Sequence, residues 1–305
     1  MHTVITGATG LIGGAVVNRL LGGVALTRDP ARARARLDSI GGHAWEALPW
    51  EPEAGPPPAE ALRGARAVIN LAGESVADKR WSSAKKRRIR DSRVVGTRNL
   101  VAGLATLAEK PEVLVSASAV GYFGDRGDET LDEQSPAGRG FLAEVCREWE
   151  REALAAEALG IRVVCVRIGV VLAPAGGAIA RMLMPFKLGV GGRLGSGRQW
   201  MPWVHIDDVV GLLLHSLRTE AVRTAIHAVA PNPVTNTEFA KALGHALRRP
   251  ALLAVPEAFL HLAFGDMSEV MTASQRVVPR VAQRTGYTFA YSELSGALAA
   301  VLKPQ

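Results

Sequence analysis

Two cysteines, Cys146 and Cys165, are all that the 305-residue sequence holds. That is too few for a disulfide framework, and their spacing matches no metal site, so both read as small, reduced residues of the interior. Long hydrophobic runs are also missing: no stretch approaches the roughly 20 apolar residues needed to cross a bilayer. The chain opens on Met1-His2 and goes straight into a strand-like Thr3-Val4-Ile5, with no leader of charged and then apolar residues. These absences predict a soluble, cytoplasmic protein without membrane anchor or metal centre. Internal repeats and DNA- or RNA-binding motifs are absent as well, which bears on charge, because the formal net charge is +7. Much of the excess sits in Lys79-Arg80 and in Lys85-Lys86-Arg87-Arg88-Ile89-Arg90, around Trp81. This stretch reads as a helix start with Ser82 or Ser83 as cap, and a solvated helix face is expected there rather than a nucleic-acid patch.

What is present is a large apolar content, 48% of residues, enough to bury a substantial core. Short apolar strands at Thr3 to Thr6, Val24 to Thr27, His43 to Leu48, Ala67 to Leu71, Glu112 to Ser116 and Arg162 to Ile168 alternate with helical stretches at Ile12 to Leu21, Ser82 to Leu107 and Phe141 to Leu159. That rhythm predicts an α/β fold with a doubly wound parallel sheet, its crossover helices covering both faces. From about Ala173 the pattern loosens into a glycine-rich segment carrying Arg181, Lys187, Arg193 and Arg198. The expected division is therefore a sheet domain of residues 1–172 and 203–230, with Ile226 to Val229 returning as a strand, and a smaller lid-like substrate domain of residues 173–202 and 231–305. Loops on a rigid scaffold carry function, so a small-molecule substrate, anionic where Arg193 and Arg198 meet it, is expected between the two.

The strongest motif lies at the start. Val4-Ile5-Thr6-Gly7-Ala8-Thr9-Gly10-Leu11-Ile12-Gly13 is a strand, a GxxGxxG turn and a helix start. Gly7 permits the tight turn, Gly10 lets backbone approach a pyrophosphate, and Gly13 lets the helix sit close to the sheet; the first helical amides of Leu11 and Ile12 are free for phosphate. Position, turn and flanking elements agree, which points to a dinucleotide. The second strand ends Leu26-Thr27-Arg28-Asp29. Arg28 offers a guanidinium and Thr27 a hydroxyl for a 2′-phosphate, while Asp29 comes one place later and can cap the next helix, so NADP(H) is favoured over NAD.

These features resemble the extended branch of the short-chain dehydrogenase/reductase superfamily, which implies a Rossmann fold. The likeness runs through Asn70-Leu71-Ala72-Gly73, Val94-Val95-Gly96-Thr97, Ser116-Ala117-Ser118 before Gly121-Tyr122, and Trp203-Val204-His205-Ile206-Asp207-Asp208. More narrowly, Lys79-Arg80-Trp81, Asp91-Ser92-Arg93, Arg167 to Leu172 and Met184 to Gly189 resemble an atypical subfamily labelled nucleoside-diphosphate-sugar epimerases. The resemblance implies that Leu71, Ala72 and Gly73 line the adenosine side, that Arg93 stands beside the cofactor where typical members carry asparagine, and that Val170 approaches the nicotinamide end.

Two departures stand out. Typical members carry Tyr-x-x-x-Lys on the helix after the fifth strand, the lysine lowering the tyrosine pKa for proton exchange. The corresponding stretch here is Phe141-Leu142-Ala143-Glu144-Val145-Cys146, and Phe141 and Val145 are expected at the two positions, facing the nicotinamide side. The connection Leu20 to Leu26 is also about four residues shorter than in relatives, close to one helical turn, which bears on where Arg28 lands. Ser118 and Tyr122 remain as the candidate catalytic polar groups at the carboxyl end of a central strand. His205 to Asp208 reads as a structural corner rather than a catalyst.

Overall fold

The computed structural model describes residues 2–41, 44–78, 80–174 and 176–303. His43, at the expected start of the third strand, and Lys79, in the basic run, lie outside the described residues, as do the chain ends and Ala175 within the expected domain spans. In chain order the first part comprises β1 (Thr3–Thr6), α1 (Leu11–Val17), β2 (Gly23–Thr27), α2 (Pro30–Ser39), β3 (Trp45–Pro49), α3 (Ala59–Leu62), β4 (Ala67–Asn70), α4 (Ser83–Thr106), β5 (Val113–Ala119), β6 (Thr130–Leu131), α5 (Phe141–Leu154) and β7 (Arg162–Ile168). Next come β8 (Val170–Leu172), α6 (Gly177–Lys187), β9 (Gly192–Leu194), β10 (Trp200–Met201), β11 (Trp203–His205), α7 (Ile206–Arg218) and β12 (Thr224–Ala228). The remainder is β13 (Val234–Thr235), α8 (Asn236–Ala246), β14 (Leu253–Val255), α9 (Glu257–Phe264), α10 (Glu269–Thr272), β15 (Arg276–Val277), α11 (Arg280–Arg284) and α12 (Leu294–Val301).

Seven strands form one sheet in the order β12-β7-β5-β4-β1-β2-β3, all parallel. Val4, Ile5, Val68, Ile69, Leu114, Val115, Val163 and Val164 are fully buried, because β-branched and leucine side chains from both sides of each strand are covered by helices. One apolar cluster joins α1, α7 and the sheet; a second joins the opposite face to α4 and the end of α5. A separate cluster centred on Leu172, Phe186, Trp203, Phe239, Leu243 and Leu298 packs α6, α8 and α12 together. No helix among the described residues is long and apolar enough to cross a membrane.

Three local expectations shift. The fifth strand runs on to Ala119, so Ser118 is itself part of the strand. The long third stretch of helix is two pieces, α5 and a 3-10 segment Ala155–Leu159. The basic run is not simply a solvated face. Ser82 caps α4, accepting from the Lys85 amide, but Lys85 is buried against Glu74 at 2.6 Å, Lys86 reaches Asp266 at 2.6 Å and Arg90 reaches Glu148 at 2.7 Å. Arg87 and Arg88 stay exposed. The charges therefore anchor the loop after β4, α5 and the segment after α9 to one helix.

Candidate functional site

Strand order reverses between β1 and β4, and the crevice beyond their carboxyl ends is where α/β sheets take ligands. Gly7 leaves β1 at φ +70°, a left-handed conformation that only glycine adopts without strain. A Cβ there would lie 2.7 Å from the Leu71 carbonyl oxygen, and one on Gly13 would lie 2.1 Å from the Gly7 oxygen. Gly10 is different: its Cβ would meet only the Gly7 oxygen at 3.3 Å, and Thr9, Gly10 and Leu11 are exposed. Ile12 is half-buried and packs on the core. Two of the three glycines thus close the backbone, and the third keeps an open surface clear.

At the end of β2, Thr27 accepts from the Asp29 amide at 3.3 Å, and Asp29 caps α2 by accepting from the Arg32 amide at 3.0 Å. Arg28, between them, is exposed and makes no hydrogen bond or ion pair among the described residues. Before it the chain runs from α1, which ends at Val17, through Gly22 and Gly23, both at positive φ and closely packed against Ala44 and Thr3.

The loop after β4 is held by a buried polar chain. Thr6 donates to Asn70 Oδ1 at 2.8 Å and accepts from the Leu71 and Ala72 amides at 3.1 and 3.0 Å. Asn70 donates to Thr97 at 2.9 Å and Ser116 at 3.2 Å, and Trp149 Nε1 donates to Thr97 at 2.9 Å. Each buried polar group finds a partner, which fixes the crevice walls from β1, β4, β5, α4 and α5 at once. Gly73 follows, with the Arg93 guanidinium packed where a side chain would stand: a Cβ would be 3.1 Å from Arg93 Cζ. The Ser92 hydroxyl accepts from the Glu74 amide at 3.0 Å, and Arg93 Nη1 donates to the Glu74 carbonyl at 2.8 Å.

On α5 the structure corrects a register. Phe141 packs edge-on against Trp81 at 5.3 Å and under the Lys86 ammonium at 5.3 Å, while Val145 is buried. The residues touching the 3-10 turn Val120–Phe123 after β5 are Leu142 and Cys146, whose Cβ and Sγ would lie 3.2 and 3.9 Å from a Cβ on Gly121. One residue of slip turns a helix by about 100°, enough to swap the stripe. Neither stripe carries tyrosine or lysine. Burial pushes the Cys146 thiol up to about 12, so it is not a thiolate nucleophile at neutral pH.

Ser118 is buried and donates to Glu150 Oε1 at 2.6 Å; Arg167 grips the same carboxylate through Nε and Nη2, both at 2.8 Å. The Arg167 guanidinium also lies 3.6 Å from the centre of the Tyr122 ring, which makes Tyr122 an aromatic wall over a buried ion pair. Sequence reasoning missed this trio. Its signal was Arg167 itself, a charge inside the apolar strand Arg-Val-Val-Cys-Val-Arg-Ile, which burial obliges to find a partner.

Val170, half-buried, heads β8 and pairs with Trp203 of β11, its amide donating to the Pro202 carbonyl at 2.7 Å. Leu11 touches Gly176-Gly177 at the start of α6, and Arg181 of α6 bonds the Ala77 carbonyl and Asp78, so α6 crosses from the glycine turn to the loop after β4. Arg193 Nη1 turns back onto the Gly195 and Ser196 carbonyls, and Arg198 is exposed. His205 caps α7 by accepting from the Asp207 amide, and Asp208 accepts from Tyr287, Ala290 and Tyr291, which makes this corner a structural joint. Among the described residues no group of three or more His, Cys, Asp or Glu is arranged to hold a metal ion.

This crevice, fold and glycine turn define a dinucleotide-fold protein of the extended type. The chain belongs to the NAD dependent epimerase/dehydratase family, whose model matches residues 3–228, and a domain of unknown function (DUF1731) matches residues 255–301. It is 39% identical over 295 residues to epimerase family protein Mb2239 of Mycobacterium bovis, covering 96% of this chain and 95% of that one. To the mouse epimerase family protein SDR39U1 it is 37% identical over 303 residues, covering 98% of each. The crystal structure of human epimerase family protein SDR39U1 (isoform 2) with NADPH superposes with a TM-score of 0.86 at 32% identity, covering 99% of both chains. UDP-glucuronic acid 4-epimerase of Bacillus cereus, at 15% identity and a TM-score of 0.78 over 98% of this chain and 97% of that one, shares the fold.

Proposed function

We propose that this chain binds NADP(H) in the β1/β4 crevice and is an NADP(H)-dependent, epimerase-like oxidoreductase acting on a small anionic molecule. The observation that carries the cofactor choice is the pair Arg28 and Asp29: the guanidinium is exposed and makes no hydrogen bond or ion pair among the described residues, whereas the carboxylate that would suit a ribose 2′-hydroxyl is spent as a helix cap. The glycine turn fits the group, since Gly10 leaves its surface open while Gly7 and Gly13 are closed by backbone. The human relative crystallised with NADPH supports the same reading. In this reading Gly7, Thr9, Gly10, Leu11, Ile12 and Gly13 receive the pyrophosphate, Thr27 and Arg28 the 2′-phosphate, and Leu71, Ala72 and Gly73 the adenosine side. Arg93 stands beside the cofactor, and Val170 toward its nicotinamide end.

When bound, the dinucleotide supplies hydride transfer; the protein's part is to bind, orient and exclude water. Residues 1–172 with 203–230 serve the cofactor, and residues 173–202 with 231–305 cover the substrate. A small molecule is favoured over nucleic acid because Lys85, Lys86 and Arg90 are committed to ion pairs. A second reading, an NADP(H)-binding sensor or scaffold, is favoured by one observation: the Ser118 hydroxyl is spent on Glu150, and α5 carries neither tyrosine nor lysine at its crevice stripe. Stereospecific loss of deuterium from labelled NADPH across a carbonyl panel supports the enzyme. Tight NADPH binding with no deuterium loss supports the sensor, and absence of NADPH binding overturns both.

A further inference from the structure

Seven of the ten large apolar side chains left exposed among the described residues fall in two short stretches, 184–190 and 252–262, so they are gathered rather than scattered. Pairing of β9 with β14 holds the stretches together, with Leu253 opposite Gly192. Met184, Leu188 and Val190 come from the end of α6 and the turn into β9, and Leu252 and Leu253 lead into and open β14. α9 follows, apolar at six of its eight positions yet burying only Leu260. Phe259 and Leu262, three apart on one side of it, face solvent. Residues 184–194 and 248–262 also carry Lys187, Arg193, Arg248 and Arg249 against a single carboxylate, Glu257. All four cations are exposed, and none forms an ion pair among the described residues. Asp266, just past α9, is taken by Lys86 at 2.6 Å, and Arg80 adds a further exposed cation by donating to the Leu262 carbonyl at 3.4 Å. Arg248 stands at φ +54°, two residues past the end of α8, where glycine is the usual occupant, so a cation is kept there at a backbone cost.

We propose that this face docks reversibly on an anionic lipid bilayer, its leucine, valine and phenylalanine side chains entering the boundary between headgroups and acyl chains while the lysine and arginines meet lipid phosphates. Apolar burial and cationic attraction acting together are what attachment to a membrane surface requires, and no spanning helix is needed for it. A second copy of the chain fits less well. A two-fold contact would set these cations against their own equivalents, with one glutamate per chain to answer them.

Flotation of the full chain with vesicles of phosphatidylcholine alone, and of equal parts phosphatidylcholine and phosphatidylglycerol, provides the test. Binding to the mixed vesicles is expected, weakened by about tenfold or more when phosphatidylglycerol is left out or salt is raised. The double substitution Leu252→Ser with Leu262→Ser changes side chains that are 88% and 75% exposed, so the core is left intact. It should weaken mixed-vesicle binding by about tenfold or more, and so should Arg248→Gly with Arg249→Ser, in which the glycine suits the positive φ. Leu21→Ser and Arg87→Ser, exposed residues of other elements, should bind like wild type. No binding of the wild type to mixed vesicles overturns the proposal, as does equal binding to both vesicle compositions. Equal binding by wild type and both double variants, with melting curves showing folded protein, also overturns it. If the leucine pair fails to fold, the arginine pair decides by the same comparison. A dimer in sedimentation, dissolved by Leu252→Ser with Leu262→Ser and without vesicle binding, gives the face to a second copy instead. A stoichiometric complex with an acidic protein in place of vesicle binding likewise overturns the lipid assignment.

Discussion

Ser118 Oγ and Glu150 Oε1 are 2.6 Å apart, and Arg167 closes the same carboxylate from the other side. A serine at the end of a central strand, where a reductase would use its hydroxyl, here completes a buried ion pair between β7 and α5. Removing one partner of such a pair strands a buried charge, so Glu150→Ala is expected to cost about 3–5 kcal/mol. Ser118→Ala removes a single bond to a charged group and is expected to cost about 1.5–3 kcal/mol. Urea unfolding reads both. NADPH affinity should be unchanged in Ser118→Ala; normal stability combined with lost NADPH binding would return Ser118 to the reacting site.

The three glycines of the first turn make separable predictions. Gly13→Ala drives a Cβ to 2.1 Å from the Gly7 carbonyl oxygen, a backbone atom that has no rotamer to give, so the turn must open and the melting temperature should fall. Gly10→Ala meets only one atom at 3.3 Å. Its melting temperature is expected to stay near that of wild type while NADPH binding weakens, because the methyl group occupies the surface kept clear for a phosphate. Thermal melting with and without NADPH distinguishes the two. A Gly10→Ala protein with normal NADPH affinity would remove Gly10 from the site.

Much of this was legible in the sequence, for identifiable reasons. Thr3–Thr6 and Arg162–Ile168 emerge with the expected bounds, and Ile226 to Ala228 does return to the main sheet. Buried parallel strands read as short apolar runs bounded by turn residues, so their positions are local information. The glycine turn was legible because Gly7 and Gly13 answer backbone demands and Gly10, between them, keeps an open surface clear. What was not legible depends on rotation or on contacts distant along the chain. The bounds of α5 do not say which stripe faces the crevice, so Phe141 and Val145 were expected where Leu142 and Cys146 lie against Gly121. The Ser118–Glu150–Arg167 trio joins positions 32 and 17 residues apart on three elements, and no periodicity encodes that meeting.

His227 and Glu133 give a pH dependence whose sign can be worked out. His227 is fully buried, with Nδ1 against the Val278 carbonyl at 2.9 Å, and burial drives its pKa from 6.5 to about 3. Between those values the unfolded chain holds a proton that the native chain lacks, so stability rises with pH and is lost as pH falls from 6.5 toward about 3. Glu133 accepts from the His227 and Val281 amides, and burial raises its pKa above 4.5. Its native proton is held longer than the unfolded one, so its contribution has the opposite sign: present below 4.5 and lost as pH rises through the higher folded value. His227→Asn is expected to flatten the acid loss of stability, and Glu133→Gln to raise stability at neutral pH relative to acid. Unfolding free energies between about pH 4 and pH 7 test both. Parallel wild-type and variant curves would mean that neither group titrates in this window.

Arg28 makes the sharpest test of cofactor choice. It sits at the carboxyl end of β2, exposed and without a bond among the described residues, between a threonine whose hydroxyl holds the Asp29 amide and an aspartate that caps α2. A guanidinium there can take a 2′-phosphate through one or two charge-assisted bonds, each contributing about 1.5–3 kcal/mol. Arg28→Ala should therefore weaken NADPH binding by about one to two orders of magnitude, while NADH, which never makes the contact, keeps its affinity. Both dissociation constants are measured at fixed ionic strength by quenching of tryptophan fluorescence, so that a loss of general positive field cannot pass for a lost contact. Equal weakening of both cofactors would assign Arg28 to the fold or the pyrophosphate site. If neither changed, the connection before Val24 has set Arg28 out of reach, and Arg32, Arg34 and Arg36 on α2 are the next cations to substitute.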